Sequence, residues 1–171
     1  MNRRESLLGL SALAAHALFP QVLERFGLAI GAVEAAEGWQ PERLSREQGV
    51  LLAEVVDTII PDTTTPGAKA ARVHVFVDLM LAACVPDTDG QAAIAALDSL
   101  GASFIAAAPG ERQTRLARMD GAGFALLKEL TLLGYFTSEI GASQALAYDP
   151  VPGNYRGCIE LKPGQRAWAS R

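Results

Sequence analysis

The residues whose spacing could support acid–base chemistry are His74 and Asp78, four positions apart. Residues four apart on a helix share a face, so an imidazole and a carboxylate at this spacing can exchange a proton. The simpler interpretation is a hydrogen bond on the helix surface or a contact with a partner, because a single titratable pair is a weak signal of catalysis. A free-standing enzyme that uses His74 is therefore an alternative and not the preferred interpretation.

Other reactive groups are scarce in this sequence. Neither Cys84 nor Cys158 belongs to a C-x-x-C-H haem-attachment motif, and Cys158 has no base nearby in sequence to activate it as a nucleophile. The stretch GAGFAL at 121–126 has two glycines of a dinucleotide fingerprint but lacks the third and follows no predicted strand. The sequence therefore predicts a chain without catalytic, cofactor-binding or metal-binding residues, which performs no chemistry by itself.

The C-terminal stretch YDPVPGNYRGC combines aromatic rings, prolines, glycines and a cysteine after a chain rich in alanine and leucine. Proline reduces the conformational entropy lost on docking, and tyrosine offers the broad apolar face with one hydroxyl that is enriched in interfaces. We therefore predict an arm that lies across a partner protein. The alternative is that the arm folds back over the chain's own helices and covers the core. The predicted interface residues are Tyr135, Phe136, Tyr148, Pro150, Pro152, Tyr155 and Cys158.

The composition indicates a folded protein with a small net negative charge. Of the 171 residues, 50% are hydrophobic and only 20% are charged, which favours one compact core and argues against disorder. The net charge is −4, and no basic stripe or zinc-finger spacing is present, so a nucleic-acid partner is not expected.

The N-terminus has the architecture of an export signal. Arg3 and Arg4 precede the apolar run Leu7–Phe19, and a basic region before a short apolar core is typical of signal peptides. The paired arginines, followed by Leu7 and Leu8, indicate the twin-arginine route, which carries folded proteins. The apolar run is shorter than the about 20 residues that a membrane-spanning helix needs. We therefore expect a periplasmic protein without a membrane span.

The signal segment is predicted to comprise residues 1–35, because the pattern VEA would start the mature chain at Ala36. The stretch before this site is longer and more charged than a usual signal tail, so an amphipathic helix that stays attached is the alternative. In an oxidising compartment Cys158 could bridge to Cys84, bridge to a partner or stay free. The bridge to a partner is favoured, because a lone thiol on an exported arm invites pairing.

Helical periodicity dominates the rest of the chain. After a polar connector at 36–44, Ser45 and Gln48 form a capping-box pattern that predicts a helix ending at Pro61. A strongly apolar second helix is predicted over 70–85 and ends at PDTDG, and a third is predicted over 91–107.

A short charged helix in PGERQTRLARMD and a fourth long helix that begins near GAGF complete the pattern. No run alternates as a strand would. The sequence therefore predicts an all-α bundle of four to five helices over 45–145, followed by an irregular Pro/Gly/Tyr-rich arm over 146–171.

Three segments resemble one protein family. They are VVDTIIPDTTTPGAKAARVHVFVDLML at 55–81, LLKELTLLGYFTSEIGA at 126–142 and LAYDPVPGNYRGC at 146–158. Together they are similar to the small subunit, called subunit 3 or gamma, of gluconate 2-dehydrogenase-type complexes. The MNRRE start also resembles the leaders of such subunits, whereas the region 86–123 shares little beyond helical character.

The resemblance implies a non-catalytic partner of an oxidoreductase. In such complexes a large subunit of the glucose-methanol-choline type binds FAD and oxidises a sugar, sugar acid or glycoside, and a c-type cytochrome with haem c can accept the electrons. The small subunit resembles an escort that supports the folding, stability and twin-arginine export of the flavoprotein. Related complexes oxidise gluconate at C2 or glucosides at C3. An autonomous periplasmic helical binding module is the alternative from another class.

Overall fold

The structure, a computed structural model, describes residues 39–149, 151, 153–154, 158 and 160–169. All regular elements in this part of the chain are helical, which confirms the predicted all-α class. Four long helices form the bundle, and the shorter ones lie between or after them. The elements are α1 (Arg46–Ile59), α2 (Val73–Ala83), α3 (Asp87–Leu100), α4 (Ser103–Ala106), α5 (Pro109–Ala117), α6 (Ala122–Thr137) and a π-helix (Gly141–Ala145).

The predicted signal segment lies outside the described residues. It includes Arg3, Arg4, Leu7 and Leu8. Among the residues that the structure does describe, none of the helices combines the length and apolar character needed to cross a bilayer.

Helix α1 begins and ends where the sequence predicts. The Ser45 hydroxyl accepts the Gln48 backbone N–H at 3.1 Å, and the Gln48 side chain accepts the Ser45 N–H at 2.9 Å. This reciprocal pair satisfies two of the backbone donors that a helix start leaves open, so the predicted capping box is confirmed. The helix ends before Pro61, whose ring cannot continue it. Its core face includes Leu52 and Val56, which are fully buried.

Helix α2 has the largest buried share of residues among the long helices. It is buried over most of its circumference, which agrees with its predicted all-round apolar character. The helix begins later than the predicted residue 70, because Arg72 takes the left-handed conformation with φ of 53°. A residue in that region cannot continue a right-handed helix. The five preceding residues form a turn in which the Val73 N–H bonds to the Ala68 carbonyl.

The stretch 86–107 folds differently from the prediction of one helix over 91–107. PDTDG does not simply end α2, because Pro86 is the N-cap of α3 and Asp87 and Asp89 occupy its first turn. Acidic side chains are favourable there, since they lie near the positive end of the helix dipole. Gly101, with φ of 65°, then separates α3 from the short α4. Two helices replace the predicted one because a positive φ interrupts the ladder.

Helices α3 and α6 pack closely against each other. Gly123 is buried in the first turn of α6, and a Cβ at this position would overlap the backbone carbonyl of Ala92 in α3. The absence of a side chain therefore lets the two backbones touch. Buried side chains from all the long helices, including Leu97 of α3 and Leu127 of α6, then form one continuous core.

Candidate partner interface

The outward side of α6 has an apolar strip. Leu132, Leu133 and Phe136 are 38%, 41% and 42% exposed, and their spacing places them on one side of the helix. The opposite side, including Leu130 and Thr131, is buried against the bundle. A single exposed leucine is ordinary on a protein surface, whereas neighbouring apolar side chains on one helix indicate a contact surface.

A second group of exposed apolar side chains follows the π-helix. Tyr148 is 59% exposed, and Val151, Leu161 and Trp168 are also exposed. The Asp149 carboxylate accepts the Val151 N–H at 3.1 Å, which forms a local turn beside Tyr148. From here on we use the name arm for the segment 148–166, which is the middle of the predicted arm over 146–171 and is followed closely by Trp168. Its described part presents aromatic and aliphatic groups outward, as an interface segment would.

Backbone hydrogen bonds join the two ends of the arm to each other. The Ala147 N–H donates to the Ala167 carbonyl at 2.8 Å, and the Ala169 N–H donates to the Ala147 carbonyl at 3.0 Å. These bonds form an isolated parallel bridge between Ala147 and Trp168. By Ala169 the described chain has therefore returned to the start of the arm.

The predicted interface residues fall into three groups. Phe136, Tyr148 and Cys158 are exposed and available to a partner. Tyr135 is only 2% exposed, and its hydroxyl donates to the Pro66 carbonyl at 2.7 Å. Tyr135 thus attaches the 61–68 loop to α6 and has no face to offer to a partner in this structure, which corrects the role predicted for it. Pro150, Pro152 and Tyr155 lie outside the described residues.

The two cysteines are not joined to each other. Cys84 is partly buried at the C-terminal end of α2, where it packs against the core, and Cys158 is exposed on the arm. Both are free thiols. In this chain by itself, the predicted alternative of a bridge between them is not formed.

His74 and Asp78 are not arranged as an acid–base pair open to a substrate. Asp78 is 0% exposed, and its two carboxylate oxygens accept the backbone N–H groups of Glu42, Arg43 and Leu44 at 2.7, 3.1 and 2.9 Å. A carboxylate held in this way attaches the connector before α1 to α2. Asp78 is therefore a buried structural anchor and not the surface group that was predicted.

His74 lies beside the same connector. Its ring meets the edge of the Trp39 indole at 5.2 Å between centroids, and its Nδ1 is buried without a hydrogen-bond partner. Burial, and then the nearby Lys69 and Arg72 cations, lower the pKa of His74 below its usual 6.5. The imidazole is therefore neutral near pH 7 and serves as a packing group under the connector.

Leu132, Leu133 and Trp168 are exposed but were not among the predicted interface residues. The signal for the two leucines was available, because α6 reads LLKELTLLGYF and has more apolar residues than one buried stripe requires. No sequence pattern indicated the contacts of Arg166, because its partners Ser143 and Gln144 lie more than 20 positions earlier in the chain. In the described part of the chain, no three His, Cys, Asp or Glu side chains are grouped so that they could hold a metal ion.

Comparison with known proteins gives one match. Neither the curated proteins nor the solved structures include a match to this chain. Residues 46–153, however, match the family described as gluconate 2-dehydrogenase subunit 3. This range covers every helix of the bundle and the first part of the arm, including Phe136 and Tyr148. The chain therefore belongs to the gluconate 2-dehydrogenase subunit 3 family, as a small subunit of a gluconate 2-dehydrogenase-like complex with other dehydrogenase subunits.

Proposed function

We propose that this chain is the non-catalytic small subunit that docks on the large, FAD-binding subunit of a periplasmic sugar, sugar-acid or glycoside dehydrogenase. The large subunit would be of the glucose-methanol-choline type and would perform the oxidation. The small subunit would support its folding and stability. It would also provide the twin-arginine signal for export of the two proteins together, through Arg3 and Arg4.

The observation that supports this proposal most strongly is the exposed apolar surface at the end of the bundle. The strip on α6 and the residues that follow the π-helix hold most of the large exposed apolar side chains in the described part of the chain, and the two groups follow each other in sequence. Family membership supplies the partner, because a subunit of this family assembles with other dehydrogenase subunits. A c-type cytochrome with haem c would be a third subunit, and FAD would be held by the large subunit alone.

The interface can be tested with single substitutions. Phe136→Ala and Tyr148→Ala are each expected to weaken binding of the flavoprotein about 5- to 30-fold, since each removes an aromatic anchor that a docked partner would cover. The dissociation constant would be measured by titration of the purified small subunit with the flavoprotein. Val50→Ala is the matched control, because Val50 is an equally exposed apolar side chain on α1. Undiminished binding by both aromatic variants would contradict the proposed interface.

Export is tested separately from docking. Replacing Arg3 and Arg4 with lysine is expected to leave the flavoprotein bound to the small subunit but absent from the periplasmic fraction, because the twin-arginine route requires the arginine pair. The measurement is dehydrogenase activity and FAD absorbance in the two cell fractions. Normal periplasmic activity in this variant, or in a strain without the small subunit, would refute the escort role.

A further inference from the structure

We propose that Arg166 is a positioning residue that closes the arm at its base and thereby presents its exposed side chains to the partner subunit. This inference rests on the proposed function, because it assumes that the arm docks on another subunit. Arg166 itself lies beyond residue 153, where the match to the family ends, although its partners lie within the match. The family match therefore does not include the arginine that makes this contact.

The first observation is the contact of Arg166 with the π-helix. Its Nη1 donates to the backbone carbonyls of Ser143 and Gln144 at 3.0 and 2.7 Å. These carbonyls belong to the last residues of the π-helix, where a helix leaves acceptors without intrahelical partners. A guanidinium is favourable there because it donates to two acceptors that the helix leaves open.

The second observation is the backbone pairing next to this contact. Ala147 exchanges hydrogen bonds with Ala167 and Ala169, immediately after Arg166. Ala169 is buried at 9% exposure, so the end of the described chain is covered by the protein. Arg166 and this bridge together form the arm clamp. The clamp keeps residues 147 and 167 next to each other, so the arm begins and ends at the same point of the structure.

A clamp of this kind changes the cost of docking. A segment attached at one end samples many conformations, and binding selects few of them. Attachment at both ends removes much of that freedom before the partner arrives, so less conformational entropy is lost on binding. Opening the clamp would lower the fraction of molecules whose arm is ready to bind, and the apparent affinity falls with that fraction.

The clamp is separate from the hydrophobic core. The buried core cluster extends in sequence from Leu44 to Tyr135 and includes none of the clamp residues, and Arg166 itself is exposed. Removing the guanidinium should therefore change the arm without unfolding the bundle. This separation allows a positioning role to be distinguished from a structural one.

The test compares Arg166→Ala with Arg166→Lys and with Arg118→Ala, an exposed arginine at the end of α5 that serves as the charge-matched control. In titrations with the flavoprotein, Arg166→Ala is expected to bind about 5- to 10-fold more weakly. Arg166→Lys should recover most of the affinity, since an ammonium can still reach the carbonyls, and Arg118→Ala should bind normally. The thermal unfolding midpoint of the bundle should be unchanged in all three.

Hydrogen exchange gives the second readout. In Arg166→Ala the Ala147 and Ala169 amides should exchange faster, whereas the amides of α2 should keep their protection. Normal affinity of Arg166→Ala beside weakened binding of Tyr148→Ala would overturn the clamp and leave the proposed function intact. Normal affinity of Arg166→Ala, Phe136→Ala and Tyr148→Ala together would reject the proposed interface itself. A clear fall in the thermal unfolding midpoint of Arg166→Ala, alongside its weaker binding, would show a structural role for Arg166 and overturn the positioning role.

Discussion

Replacing Asp78 with alanine is expected to lower the free energy of unfolding of this chain by about 3–5 kcal/mol. The substitution leaves three backbone N–H groups, those of Glu42, Arg43 and Leu44, without the carboxylate that now accepts them. Because the site is completely buried, water cannot replace the lost acceptor without opening the contact between the connector and α2. Urea unfolding, followed by the far-ultraviolet circular dichroism of the helices, measures this change in the free energy of unfolding.

Asp78→Asn gives an intermediate comparison. The amide has the same shape and keeps one acceptor oxygen, but it brings two donors to a site that already contains only donors, so about half of the loss is expected. Asp87→Ala is the control, because Asp87 is an acidic residue whose side chain is 81% exposed in an ion pair with Arg43. It should cost less than about 1 kcal/mol. Equal stability of Asp78→Ala and Asp87→Ala would exclude the anchor role.

Replacing Arg112 with alanine is expected to lower the free energy of unfolding by about 2–4 kcal/mol. The guanidinium forms an ion pair with Glu54 of α1 and is mostly buried, with 17% of the side chain exposed. It also donates to the carbonyls of Phe104, Ile105 and Ala107 at the end of α4. One side chain thus joins α1, α4 and α5, and its loss leaves a carboxylate and several carbonyls with too few donors.

Arg112→Lys should lose part of this stability, because an ammonium keeps the charge but cannot reach four acceptors at once. Lys69→Ala is the matched control, since Lys69 also pairs with Glu54 but is 49% exposed and should cost less than about 1 kcal/mol. Thermal or urea unfolding of the three variants gives the comparison. A loss in Arg112→Ala no greater than that in Lys69→Ala would contradict the role assigned to Arg112.

The pH dependence provides an independent check on the same contact. The Lys69 hydrogen bond, and then that of Arg112, outweigh burial and hold the pKa of Glu54 below its usual 4.5. A carboxyl group with a lowered folded-state pKa contributes stability that is present above 4.5 and is lost as the pH falls through the folded-state value. Arg112→Ala should therefore lose less stability than the original chain when the pH is lowered below about 4.5.

Local sequence patterns predicted the helices well where the cause is local. The Ser45–Gln48 capping box, the stop at Pro61 and the start of α6 depend on residues within a few positions of one another. The break at Gly101 and the left-handed Arg72 were missed, because apolar periodicity continues across both. Periodicity indicates which side of a helix is buried and does not report the backbone angle of one residue.

The family motifs gave the right family and misplaced one residue. Tyr135 was predicted as an interface residue because aromatic rings near the arm suggested docking, but its hydroxyl bonds to Pro66, in another of the similar segments. Two of the segments that carry the resemblance thus meet inside the bundle. A motif can therefore be shared because it holds the fold together as well as because it binds a partner.

The sequence by itself determined the all-α class, the main helix positions, the family and the aromatic character of the arm, because composition, periodicity and short motifs act over neighbouring residues. Only the tertiary structure decided which groups Asp78, Arg112 and Arg166 contact. Each of these side chains forms hydrogen bonds with backbone groups of another segment. Neither the charge of the side chain nor its position in the sequence specifies which amides or carbonyls it will contact. Long-range contacts of this kind follow from packing of the whole bundle, so they are visible only when the chain is folded.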